Sequence, residues 1–144
     1  FLVFLKIFLL FNFFIFTPYH YVYLNIFAGK HVNNSKKFEN DYWGVSTKKL
    51  ITYIQNNKEM LNGEIRIAVC GIPDDVQNIY LKKVKNLKYK LVTRHENFDF
   101  IIMTNRVIWD ETTKKAQTCF EKYSGNDLIK VQKRGLIISK ITKI

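Results

Sequence analysis

The sequence predicts a small α/β domain, a mixed sheet with flanking helices, preceded by the C-terminal part of a transmembrane helix. Three observations predict it. Residues 1–16 are apolar except for Lys6 and Asn12, whereas the chain after Pro18 has the polarity of an ordinary globular domain. Beyond that point, strand-like and helix-like segments alternate, the order that lays helices on a sheet. The length, 144 residues, supplies one modest core and an appended segment. The expected division is 1–16 for the helix end, 17–45 for an interfacial aromatic segment with a DYWG motif, and 46–144 for the α/β domain.

The opening run, FLVFLKIFLLFNFFIF, has Phe or Leu on every side of a helix. A core helix at a protein surface shows a polar face at helical spacing, and this run shows none. A signal peptide ends in a small-residue cleavage site; here Thr17-Pro18-Tyr19-His20-Tyr21 follows, which is bulky. A helix over residues 1–16 covers about 24 Å, short of the roughly 30 Å of a hydrocarbon core. No initiator Met stands at position 1, so the run is expected to be the exit end of a longer span. Tyr19, His20, Tyr21 and Tyr23 then suit a membrane–water boundary, where amphipathic rings collect. A strand with alternating tyrosines is the other reading of those residues.

Ser46 is expected to cap a helix that runs to about Asn57 and buries Leu50, Ile51 and Ile54 on one face. Gly63 breaks the chain. Ile65–Cys70 reads as a buried strand, and Gly71-Ile72-Pro73-Asp74 as the turn after it. Asp74 or Asp75 caps the next helix, whose apolar side is expected to carry Val76, Ile79, Tyr80 and Val84. Tyr89–Thr93 and Phe98–Thr104 are strands, the second apolar enough to be central. Thr113–Tyr123 reads as a short helix ended by Gly125, and Leu128–Ile144 as a terminal hairpin turning at Arg134-Gly135.

The formal charge is +11. Such a balance fits a partner with negative charge, but the lysines are scattered and arginine, the residue of bidentate phosphate recognition, is scarce. Lys82 to Lys90 reads as a solvated helix face and turn, and nucleic acid is not an expected partner. Cys70 and Cys119 form no CxxC, and His20, His31 and His95 are isolated, so no metal or cofactor is expected. The two cysteines are expected to be buried free thiols; a disulfide between them is the alternative if the domain faces an oxidising compartment. The strand–Gly join at Cys70-Gly71 lacks both GxGxxG and GxxxxGK and reads as a turn. Asp74-Asp75 and Asp110-Glu111 are neighbours in sequence and point apart, so neither makes a catalytic pair, and no catalytic residue is assigned.

Two segments carry more information. TPYHYVYLN at 17–25 and FENDYWGVS at 38–46 follow an apolar helix and lie about twenty residues apart. Together they resemble the C-terminal region of bacterial dolichyl-phosphate-mannose–protein mannosyltransferase-like (family 39, C-superfamily) membrane glycosyltransferases. Thr17, His20 and Asn40 depart mildly from the pattern of that group. The resemblance implies a final span, a small extracytoplasmic α/β domain at the cytoplasmic (inner) membrane, and a parent hexosyltransferase with a polyprenyl-phosphate sugar donor. Its catalytic carboxylates would lie in an early extracytoplasmic loop outside this chain. The implied partners are membrane lipid and, through the parent enzyme, that donor and a glycan or protein acceptor. The positive-inside rule counts chiefly the residues close to a span, where only Lys30, His31 and Lys36 stand, so it opposes this sidedness only slightly.

The motif residues are Tyr21, Asn25, Asp41, Tyr42, Trp43 and Gly44. Two rings, a carboxylate and a flexible Gly ahead of a helix suit docking of the domain to the membrane end; a sugar platform is the second role. The expected function is thus a structural or acceptor-facing C-terminal part of a membrane glycosyltransferase, inactive alone. A membrane-anchored binding or interaction module without enzymatic activity is the alternative, and a basic soluble nucleic-acid-binding domain a more distant third.

Overall fold

The computed structural model describes residues 2–16, 41, 44–57, 63–133 and 135–144. Residues 17–40 of the interfacial aromatic segment, Tyr21 and Asn25 among them, and Tyr42, Trp43 and Arg134 lie outside the described residues. The elements, in order, are α1 (Leu2–Phe16), α2 (Thr47–Asn56), β1 (Ile65–Cys70), α3 (Asp74–Leu81), β2 (Tyr89–Leu91), β3 (Phe100–Thr104), β4 (Val107–Asp110), β5 (Lys115–Thr118), α4 (Cys119–Lys122), β6 (Asn126–Lys133) and β7 (Leu136–Lys143).

Five strands form one mixed sheet in the order β2-β1-β3-β7-β6. β1 runs parallel to β2 and β3, while β7 is antiparallel to β3 and β6. Strand β3, FIIMT, is buried along its whole length because it is central and covered on both faces. On one face Ile65, Ile67 and Val69 of β1 meet Ile102 of β3 and Ile141 of β7. Leu50, Ile51 and Ile54 of α2 and Leu81 of α3 close that core. The opposite face is thinner: Ala68, Cys70, Ile101 and Met103 are covered by Cys119 and Phe120 of α4 and by Ile108 of β4. The β6–β7 register shifts between Val131 and Gln132, which leaves Ile138 without a partner on β6 and lets Leu136, Ile138 and Ile141 serve one core.

The small mixed sheet with flanking helices, strand β1, the central strand β3, the apolar face of α2 and the terminal hairpin agree with the sequence. Other expectations are corrected. Thr113–Tyr123 is not a helix: Lys115–Thr118 pairs with Val107–Asp110 in a two-stranded sheet, and only Cys119–Lys122 is helical. A capping box starts that turn, with Glu121 N donating to Thr118 Oγ1 and Thr118 N to Glu121 Oε2. Ser46 is not the side-chain cap of α2, because its own backbone is already helical. Neither Asp74 nor Asp75 caps α3; Pro73 holds that position, and the acids sit in the first turn, where the helix dipole favours them.

On the α3 side Val76, Tyr80 and Val84 pack on the core as expected, and one residue departs. Ile79 faces solvent, and Gln77 and Leu81 are enclosed instead. The Gln77 amide has no hydrogen-bond partner among the described residues. Finally, the cysteines are not free thiols. Cys70 and Cys119 form a disulfide with their Cα atoms 5.9 Å apart, which ties the β4–β5 hairpin and α4 to the end of β1.

Helix α1 is apolar at its surface on all sides. Phe4 is 79 % exposed, Phe8 44 % and Phe11 62 %, rather than packed on the sheet. The polar interruption Asn12 is satisfied within the helix, its Nδ2 donating to Phe8 O at 2.8 Å. At the C-terminal end Lys133 Nζ donates to Ile15 O at 3.4 Å. Among the described residues no helix is long and apolar enough to cross a membrane; the 15 residues of α1 cover about 22 Å.

Candidate functional site

The three parallel strands end on the same side of the sheet, and their exits line one groove of about 600 Å³. Gly71, Ile72, Pro73 and Asp74 leave β1; Val92, Thr93, Arg94 and His95 leave β2; Arg106 to Trp109 follow β3. The chain passes from β1 through α3 to β2 on one side, then returns across β1 to β3 on the other. Open α/β sheets receive ligands at such a reversal, where the diverging connections leave a crevice.

Each wall is fixed by backbone chemistry. Gly71 sits at φ +83°, and a Cβ there would collide with Thr104 Oγ1 and lie 2.8 Å from Arg106 Cβ. Only glycine fits, because this close approach lets Thr104 Oγ1 donate to Gly71 O at 3.1 Å. Cys119 N donates to Arg106 O at 2.9 Å, and the adjacent disulfide holds the same corner. The loop after β2 is closed by Glu96, whose carboxylate accepts from Thr93 N and Thr93 Oγ1, both at 3.0 Å. Those bonds, the backbone one first, hold the Glu96 carboxyl below its ordinary range.

The groove is polar and carries an aromatic ring. Arg94 and His95 are exposed, and Trp109 on β4 is 65 % exposed. Of the four arginines in the sequence, two line this one groove, so their scarcity does not disperse them. A neighbouring hollow shares Arg94, His95 and Trp109 and extends to Asp110, Glu111, Lys122 and Tyr123. There Asp110 accepts from Lys122 Nζ at 3.0 Å, Gln117 Nε2 at 2.6 Å and Thr112 N at 3.0 Å. The Lys122 bond above all pulls the Asp110 carboxyl down to about 2, so it is a paired anion at neutral pH. Among the described residues no group of His, Cys, Asp and Glu has the arrangement of a metal centre.

Of the motif residues, Asp41 and Gly44 are described. Asp41 is fully buried at φ +56°, a conformation that Asp tolerates better than most residues. Its carboxylate accepts from Val45 N at 2.7 Å, Ser46 N at 2.9 Å and the Ser46 hydroxyl. It therefore satisfies the free N–H groups at the start of α2, the part expected of Ser46. The Ser46 hydroxyl in turn shares a 2.6 Å hydrogen bond with Ser139 of β7, the cross-strand neighbour of Thr104. Gly44, at φ +66°, packs so closely on Ile72 that a Cβ would lie 2.9 Å from Ile72 Cγ2. Asp41 and Gly44 thus stand behind the groove, anchoring α2 against the sheet and backing one lining residue.

The sequence pattern singles out neither Arg94, Arg106 nor Trp109, and leaves His95 isolated. Their one shared signal is position, each within five residues of the end of a parallel strand, and that becomes visible only once strand direction is known. A second polar group lies across the sheet. Lys140, nearly buried over the Phe120 ring, pairs with Asp127 at 2.9 Å, and Thr142 Oγ1 donates to the same carboxylate. Burial pushes the Asp127 carboxyl up, and the bonds from Thr142, Lys140 and Lys130 outweigh it and leave it low. No protein-family model matches this chain, and no curated protein or solved structure resembles it significantly.

Proposed function

We propose that this chain is the C-terminal part of a polytopic membrane glycosyltransferase that takes its sugar from a polyprenyl phosphate. In this reading α1 lies among acyl chains, and the α/β domain stands on the extracytoplasmic side of the cytoplasmic membrane as a structural or acceptor-facing element. The observation that carries it is the surface of α1. A helix with Phe and Leu exposed on every side suits lipid, since an apolar patch of that extent in water drives association. The Cys70–Cys119 disulfide supports the sidedness, because such bonds persist outside the reducing cytosol. The buried, capping role of Asp41 supports docking of the motif over a sugar platform at that residue.

The test has two arms. The chain is expected to float with phospholipid vesicles and to require detergent for extraction; recovery as a water-soluble monomer refutes the membrane placement. Membranes carrying the intact gene product are expected to transfer labelled hexose from polyprenyl-phosphate hexose, and absence of transfer refutes the enzyme lineage. The alternative, a membrane-anchored binding module without enzymatic activity, is favoured by the groove, which offers a guanidinium, an imidazole and an aromatic ring as binding groups. It predicts flotation without transfer.

A further inference from the structure

We propose that the groove at the ends of the parallel strands binds an anionic saccharide, a hexose carrying a phosphate or carboxylate. The inference stands on the groove itself and holds whether or not the parent is a transferase.

Three observations converge. The first is charge without cancellation at Arg94. Its guanidinium makes one weak contact, Nη1 to Cys70 Sγ at 3.8 Å, and no carboxylate meets it among the described residues. The nearest acid in the same turn, Glu96, is engaged by Thr93 and by Arg66 at 3.7 Å. Asp110, in the adjoining hollow, is held by Lys122. Among the described residues Asp74 is the one carboxylate on the groove wall itself, where Arg94 also stands. A ligand with a single anionic group suits that balance better than a polyanion such as nucleic acid. Guanidinium groups offer paired N–H donors that match phosphate and carboxylate oxygens.

The second observation is Trp109. Ile108 before it packs on the core and Asp110 after it is buried, so strand alternation turns the indole outward, into the groove lining with Arg94. An indole face combines apolar area with a negative quadrupole, which suits the C–H face of a pyranose ring. The third is fixity. Gly71, the Thr104 bond, the Cys119 bond and the disulfide hold the walls before any ligand arrives, which lowers the ordering cost of binding. The groove, about 600 Å³, has room for a mono- or disaccharide.

The full chain in detergent-free nanodiscs is titrated with glucose 6-phosphate, glucuronate, glucose and adenosine monophosphate, followed by tryptophan emission and by calorimetry. Glucose 6-phosphate or glucuronate is expected to bind saturably, at least about tenfold tighter than glucose, the scale of one charge-assisted hydrogen bond. Arg94→Gln, a change at an exposed turn, is expected to remove that preference while leaving the circular dichroism unchanged. Trp109→Ala should weaken calorimetric affinity, and Trp109→Phe should restore most of it. A second set of nanodiscs contains polyprenyl-phosphate hexose. Saturation by the free sugars points to a soluble source, and occupancy only with the lipid points to a membrane-borne one; either supports the site. The proposal is overturned if no anionic sugar binds in either format, if glucose binds equally well, if adenosine monophosphate binds tighter than both anionic sugars, or if Arg94→Gln binds as the unaltered chain does.

Discussion

Removing the Cys70–Cys119 bridge by Cys70→Ala/Cys119→Ala is expected to be the most damaging small change to the domain. The cysteines are 49 residues apart, and the segment between them contains β1's exit, α3, β2, β3 and the β4–β5 hairpin. In the chain-entropy account, a closed loop of that length restricts the unfolded ensemble by about 14 cal/mol/K, or about 4 kcal/mol at 25 °C. Lost packing of the two buried sulfurs adds to this. For a domain of this size that corresponds to a fall in Tm of roughly 15–30 °C. The assay is urea and thermal unfolding of the full chain in micelles, followed by circular dichroism, with and without reductant. Reduced wild type and the double variant should nearly coincide, well below the oxidised protein. Two observations would refute the reasoning: labelling of both cysteines by a thiol reagent in unfolded, unreduced protein, or a midpoint that reductant does not move.

Three further outcomes can be checked alongside. Asp41→Ala should destabilise by about 2 kcal/mol or more, because Val45 N, Ser46 N and the Ser46 hydroxyl lose their common acceptor in a buried place; faster hydrogen exchange confined to the first turn of α2 is its signature. Gln77→Met should stabilise by about 1–2 kcal/mol, since it replaces an enclosed, unpartnered amide by an apolar chain of similar volume, and an unchanged or lower urea midpoint counts against it. Lowering the pH should loosen the hairpin corner: the Asp110 carboxyl titrates near 2 when folded and near 3.8 when unfolded. Its contribution is therefore complete above that upper value and fades as the pH falls through the lower one. Asp110→Asn should flatten the dependence of Tm on pH in this interval.

The parts of the fold that were legible in the sequence are those where local pattern and global position agree. IRIAVC and FIIMT are apolar because both faces of a central strand are covered, and that shows directly in composition. Leu50, Ile51 and Ile54 mark the buried stripe of α2 by spacing alone. The β4–β5 hairpin was not legible, since KAQT has little strand preference and pairs only because VIWD lies opposite. One local signal did stand at this place: Thr118 followed three residues later by Glu121 announces a helix start at Cys119, not at Thr113.

Capping and cysteine pairing failed for a related reason. Which oxygen meets the first turn of α2 depends on where the chain before it turns, and a buried Asp41 five residues upstream of Ser46 outcompetes it. Gln77 lies inward where Ile79 does not, because the angle at which α3 meets the sheet decides the buried arc of so short a helix. By itself, then, the sequence determined an apolar leading helix, the strand and helix order outside the β4–β5 hairpin, and the apolar stripes that make one sheet with helices on it, all set by burial at short periods along the chain. The tertiary structure alone decided the disulfide, the Asp41 cap, and the gathering of Arg94, His95, Arg106 and Trp109 into one groove. Those depend on strand direction and order, which bring residues dozens of positions apart within bonding reach and which no local periodicity encodes.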